Sequence, residues 1–107
     1  MSVSDAEIAF ATELFSGLGP LTTRRMFGGV CLYCEGTMFA VIHSDGILYL
    51  KAREDLSPDL EAAGSTRWTH PRAEERKMQM PHWTLPENAL DDPDLACEWA
   101  RRALALL

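Results

Sequence analysis

Arg25-Met26-Phe27-Gly28-Gly29-Val30-Cys31-Leu32-Tyr33-Cys34-Glu35-Gly36 joins a paired-glycine break to a β-branched and aromatic run that closes on a turn dipeptide. Two further runs follow, Met38-Phe39-Ala40-Val41-Ile42 and Ile47-Leu48-Tyr49-Leu50-Lys51, with Asp45-Gly46 between them. Glu35-Gly36 and Asp45-Gly46 suit tight turns, because glycine adopts positive φ without a steric penalty. From Leu21 to Ala52 the chain therefore reads as an antiparallel meander. Gly28-Gly29 fits two geometries, a two-residue hairpin turn or a bend within one long strand.

Helical signals flank this block. Ser4-Asp5-Ala6-Glu7 has capping-box spacing, and Ile8, Ala11, Phe15 and Leu18 recur at helical intervals, with Phe10 and Leu14 widening the stripe to one broad buried face. Gly17, Gly19 and Pro20 end that helix. Ser57-Pro58 reads as cap and first helical residue of a short helix stopped by Gly64. Ser65 to His70 and Arg76 to Met80, separated by Pro71 and a polar loop, are compatible with a second hairpin. Asp92-Pro93 starts a last helix whose one side carries Leu95, Trp99, Arg102 and Leu106, while Ala96, Ala100, Ala103 and Leu104 extend its apolar surface. The expected fold class is α+β, two-layered, an antiparallel sheet with helices on one face.

The glycine block and its two following strands resemble the amino-terminal domain of the TfoX/Sxy family of bacterial competence regulators. The resemblance continues through Gly64, Lys77-Met78, Leu85-Pro86-Glu87-Asn88-Ala89-Leu90-Asp91-Asp92, Trp99 and Ala103-Leu104. It covers nearly the whole chain, and the order and spacing of its pieces carry it more than any one of them. The family implies three strands in the first β block, which favours the bend at Gly28-Gly29, and the order α-β-β-β-α-β-β-α. It also implies no established catalytic activity and no catalytic residues. Larger relatives append a second domain, and this chain is expected to stop where that domain would begin.

The 107 residues and 11.9 kDa fit one domain, residues 1–107, large enough to bury a core without metal or disulfide staples. A net charge of −6 repels a phosphate backbone, which places direct nucleic-acid binding at a disadvantage. Local basic surfaces remain at Arg24 and Arg25 and at Arg72, Arg76 and Lys77, the latter interrupted by Glu74 and Glu75. The N-terminus carries Asp5 and Glu7 and lacks the charge order of a secretory signal, and no run of roughly 18 apolar residues is present to span a membrane. Three cysteines, an odd number, fit a reducing compartment. The expected setting is the cytoplasm, without membrane attachment.

Cys31-Leu32-Tyr33-Cys34 has the spacing of a redox or zinc motif, but strand residues three apart point to opposite faces, so separate roles are expected. His43, His70 and His82 lack the spacing of a zinc site, and no serine or cysteine nucleophile shows a matched base. Gly28-Gly29 lies between strands with no Lys-Ser or Lys-Thr, unlike a phosphate loop, and Asp91-Asp92 reads as capping chemistry. No catalytic residue, metal ligand or cofactor is expected. The best binding signal is aromatic and basic: Trp68, His82 and Trp83 with Arg67 and Arg72 close in sequence, although tryptophans more often pack inside; Arg24 and Arg25 are a separate candidate surface.

These features point to a noncatalytic regulatory or adaptor domain that works through an unidentified protein partner, in transcriptional or competence-related regulation, and that self-associates as a homodimer through a sheet edge or apolar helix face. The alternatives are a small-ligand or metal-dependent enzyme using Cys and His residues, and a direct DNA-binding regulator built on Arg24 and Arg25.

Overall fold

A computed structural model describes residues 3–26, 28–68 and 81–107. The N-terminal cap forms as expected: Ser4 accepts from the Glu7 amide, the Glu7 carboxylate accepts from the Ser4 amide, and helix α1 runs Asp5–Leu14. A single 3-10 turn, Ser16–Leu18, leads into strand β1, Leu21–Met26. Strands β2 (Gly29–Cys34), β3 (Thr37–Ile42) and β4 (Leu48–Lys51) follow, then helix α2 (Ser57–Ala62), strand β5 (His82–Thr84) and, after a 3-10 turn at Glu87–Ala89, helix α3 (Pro93–Ala105). The strands form one antiparallel sheet in the order β1-β2-β3-β4-β5.

The expected class holds, with the strands divided differently between the two β blocks. Gly28-Gly29 is a reversal rather than a bend: Met26 pairs with Gly29, and Gly28 sits at φ +79°. Each glycine has its own reason. Gly28 supplies the left-handed turn, while a Cβ on Gly29 would lie 2.5 Å from the Ile42 carbonyl oxygen of the neighbouring strand. The first β block thus holds four strands instead of three. The second holds one described strand, β5, three residues long, and the 66–68 segment joins it through the Arg67–Trp83 bridge and the Trp68 amide donating to the His82 carbonyl at 2.8 Å. Arg76 to Met80 lies outside the described residues.

The core lies between the sheet and the helices. Val30, Leu32, Ala40, Ile42, Leu48 and Leu50 alternate onto the inner face, where Ala11, Leu14 and Phe15 from the α1 end, Leu60 from α2, and Ala96, Ala100 and Ala103 from α3 cover them. Phe39 also turns inward beside Ala40, because a register shift after Leu32 puts one extra residue on β3. Its ring meets Phe15 edge-on at 5.1 Å. Small alanines at the centre of the α3 face let that helix approach closely. The larger Leu95, Trp99, Leu104 and Leu106 are only partly buried at its margins.

Two further termini fit their chemistry. Asp92 caps α3 by accepting from the Leu95 amide, with Pro93 in the first turn. At α2 the cap moves one residue upstream of the expected Ser57 to Leu56, and the Ser57 hydroxyl instead donates to the Arg53 carbonyl at 3.4 Å. Gly64 stops α2 as expected, its amide donating to Glu61 and the Ser65 amide to Leu60.

Candidate functional site

Helix α1, the β3–β4 turn and the 84–90 segment enclose an apolar groove of about 540 Å³. Its floor is core: Ala11, Ile42, Leu48 and Leu85 are all buried. Its rim consists of large apolar side chains left open to solvent, Phe10 at 50%, Ile47 at 46% and Leu90 at 37% exposure. A shallower extension of about 240 Å³ shares Phe10 and Leu90 and continues past Glu13 and Asp91.

Local chain chemistry builds each wall. In the β3–β4 turn the Gly46 amide donates to the His43 carbonyl at 2.8 Å and the Ile47 amide to Asp45 Oδ1 at 2.8 Å, which fixes Ile47 just outside the strand pairing. Gly46 also makes room for α1: a Cβ there would lie 2.7 Å from Glu7 Oε2. The same Glu7 carboxylate is held below the usual carboxylate range by the Ser4 amide, with the Ser4 hydroxyl contributing. The helix cap and the groove wall are therefore one construction. Phe10, expected to widen the buried stripe of α1, stands half exposed, because α3 covers the Ala11, Leu14 and Phe15 side and nothing described covers Phe10.

The opposite sheet face carries a second cluster. His43 stacks on Trp68 with ring centroids 4.3 Å apart and planes 7° from parallel, and His43 Nε2 lies 3.1 Å from His82 Nδ1. Burial first, then the nearby His43 and Lys51 charges, push the His82 imidazole down to about 4, and burial also lowers His43. Tyr49 donates to Asp45 Oδ2 at 3.1 Å, and its phenol is pushed up to about 12 by burial and that carboxylate. Burial thus favours the uncharged form of both imidazoles. Among the described residues no three His, Cys, Asp or Glu side chains are placed to hold a metal.

Of the residues anticipated as a binding surface, Arg67 and Trp83 meet across a β-bridge, while Arg24 and Arg25 part. Arg24 and Arg25 sit opposite Cys31 and Val30, so strand alternation sends them to different faces. Arg25 donates to the Val3 carbonyl at 2.8 Å and to Asp5 at 2.9 Å. Arg67 pairs with Glu54 at 2.9 Å and lies 5.7 Å over the buried Trp83 ring. Trp68 belongs to the histidine cluster, and Arg72, like His70, lies outside the described residues. Cys31 and Cys34 occupy opposite faces as expected, Cys31 with Val41 and Tyr49, Cys34 against the main core. Burial pushes the Cys31 thiol up, which disfavours the thiolate.

Sequence reasoning missed the groove and, although it weighed His43 and His82 singly, it missed that the two meet. An exposed phenylalanine next to a turn isoleucine leaves no signal unless the two elements are known to meet. His43 and His82 are separated by 39 positions and are joined only by sheet register.

Among curated proteins the chain is 31% identical over 74 residues to the DNA transformation protein TfoX1 of Aliivibrio fischeri, an alignment covering 65% of this chain and 35% of that protein. The chain thus spans about a third of the length of the relative it matches. The profile of the TfoX N-terminal domain matches residues 13–106, a stretch running from the end of α1 through α3. The glycine turn, the four-stranded meander and the capped last helix all lie within it, and the chain belongs to the TfoX N-terminal domain family.

Proposed function

We propose that this chain is a noncatalytic adaptor domain that docks a protein partner in its apolar groove, in the regulation of a process of the kind its relative's name gives, DNA transformation. The observation that carries this reading is the ring of Phe10, Ile47 and Leu90 around a buried apolar floor. Large apolar side chains grouped at a concave surface are the usual form of an interaction site, whereas singly scattered ones need no explanation. Few polar groups line it.

Affinity capture from native lysate tests the reading. Wild-type protein retains a partner, which is then reconstituted from purified components, and Phe10→Ser with Ile47→Ser loses it while the thermal unfolding midpoint holds. Retention by the double variant assigns docking to another surface.

A homodimer is the second reading, favoured by β1. It is an edge strand, and Thr22 through Met26 are all exposed. Light scattering across a concentration series should give twice the 11.9 kDa chain mass. A constant single-chain mass into the high micromolar range rejects this reading.

A further inference from the structure

The groove's occupant follows from its charge. Glu7, Glu13 and Asp91 line the groove and its extension, and no lysine or arginine does so among the described residues. Glu13 and Asp91 form no ion pair with any described residue. An apolar trough bordered by carboxylates that pair with no described cation, on a chain of net charge −6, is complementary to an apolar face flanked by cations.

We propose that the groove receives an amphipathic helix of a partner protein whose apolar face is flanked by lysine or arginine. This inference rests on the groove being the docking surface and specifies what docks there. A second copy of the chain fits poorly, because an isologous contact through this face would bring like carboxylates together. A strand fits poorly too, since the rim is made of side chains from a helix, a turn and a 3-10 segment rather than a free sheet edge. A small ligand would need convergent polar groups to orient it. Of those available, the Thr84 hydroxyl already accepts from the Thr66 amide, and Glu7 is committed to the Ser4 cap.

Selection from a displayed library of helix-forming peptides tests the assignment. Each peptide has about four turns, fixed leucines at i, i+3, i+4 and i+7, and randomised flanking positions. Wild-type protein should enrich lysine and arginine flanks. Glu13→Lys with Asp91→Lys should weaken an enriched peptide by about tenfold and shift the selection toward acidic flanks. Phe10→Ser with Ile47→Ser should abolish enrichment while the folded circular dichroism spectrum and unfolding midpoint are kept. Enrichment of neutral or acidic flanks that still needs Phe10 and Ile47 would overturn the basic occupant and leave the groove standing. Enrichment indifferent to Phe10 and Ile47, or none at all, would overturn the groove as a helix-docking site and the basic occupant with it.

Discussion

Gly29 has no room for a side chain, because the Ile42 carbonyl that would meet its Cβ is backbone held in the β2–β3 ladder and cannot rotate away. Gly29→Ala is expected to destabilise the protein by about 1–3 kcal/mol, the cost of forcing extra volume into a packed site. A urea midpoint unchanged from wild type would show that the hairpin shifts freely. His82 poses a different constraint. Its folded-state value of about 4 lies below its ordinary 6.5, so the unfolded chain binds the proton first as pH falls. Stability from this group is complete above the ordinary value and is lost as pH falls toward the folded one. Unfolding free energy should thus drop by about 2 kcal/mol between roughly pH 7.5 and pH 5 on this group's account. His82→Phe should flatten that part of the profile relative to wild type, with His43, Lys51, Tyr49 and Asp45 still present around it. Equal slopes for the two proteins would remove His82 as the cause. Neither feature is legible in sequence. A glycine pair signals a break equally well for a bend or a reversal, and a histidine's partner depends on which strands become neighbours.

Helix α3 shows how periodicity can identify an apolar face and still misplace its centre. Leu95, Trp99 and Leu104 are its largest apolar residues, yet the contact with the sheet is made by Ala96, Ala100 and Ala103, all fully buried. Close approach requires small residues, so the larger ones lie at the margin, where Trp99 supports the Arg102 guanidinium 4.9 Å from its ring centroid. Ala100→Leu should therefore destabilise the fold by about 1–3 kcal/mol despite leucine's good helix propensity. The same change at exposed Ala105 should have little effect, and equal unfolding midpoints for the two variants would disprove the close-packed centre. Two helix ends differ from expectation, α2 being capped one residue before Ser57 and α1 stopping at Leu14, short of the expected Gly17. Local signals did determine three others: Ser4, Asp92 and Gly64 act where their chemistry placed them, because such caps and stops are decided within a few residues. The groove was hidden for the opposite reason. The pattern along α1 says that Phe10 belongs to an apolar face, but whether another element covers it depends on where α3 comes to lie.

The net charge of the whole molecule disfavours a phosphate backbone. Net charge is −6, and among the described residues four arginines are engaged apart from one another: Arg25 with Asp5, Arg67 with Glu54, Arg102 with Asp59, and Arg101 donating to the Gly17 carbonyl. Arg24 and Arg25, adjacent in sequence, face opposite sides of the sheet and cannot share one stretch of phosphates. Nucleic-acid affinity grows with the number of phosphates neutralised by neighbouring cations, so dispersed and paired arginines contribute little even where each is exposed. Purified protein is expected to show no saturable binding to labelled duplex DNA by fluorescence anisotropy near about 0.15 M salt, and Arg24→Ala with Arg25→Ala should leave the titration unchanged. Binding that resists competitor DNA and disappears in that double variant would establish a basic site on the β1 edge and turn the functional reading from adaptor to direct regulator. If DNA binding appears only when the groove is filled by a partner, the cations belong to the partner, as a basic helix docked against Glu13 and Asp91 would require.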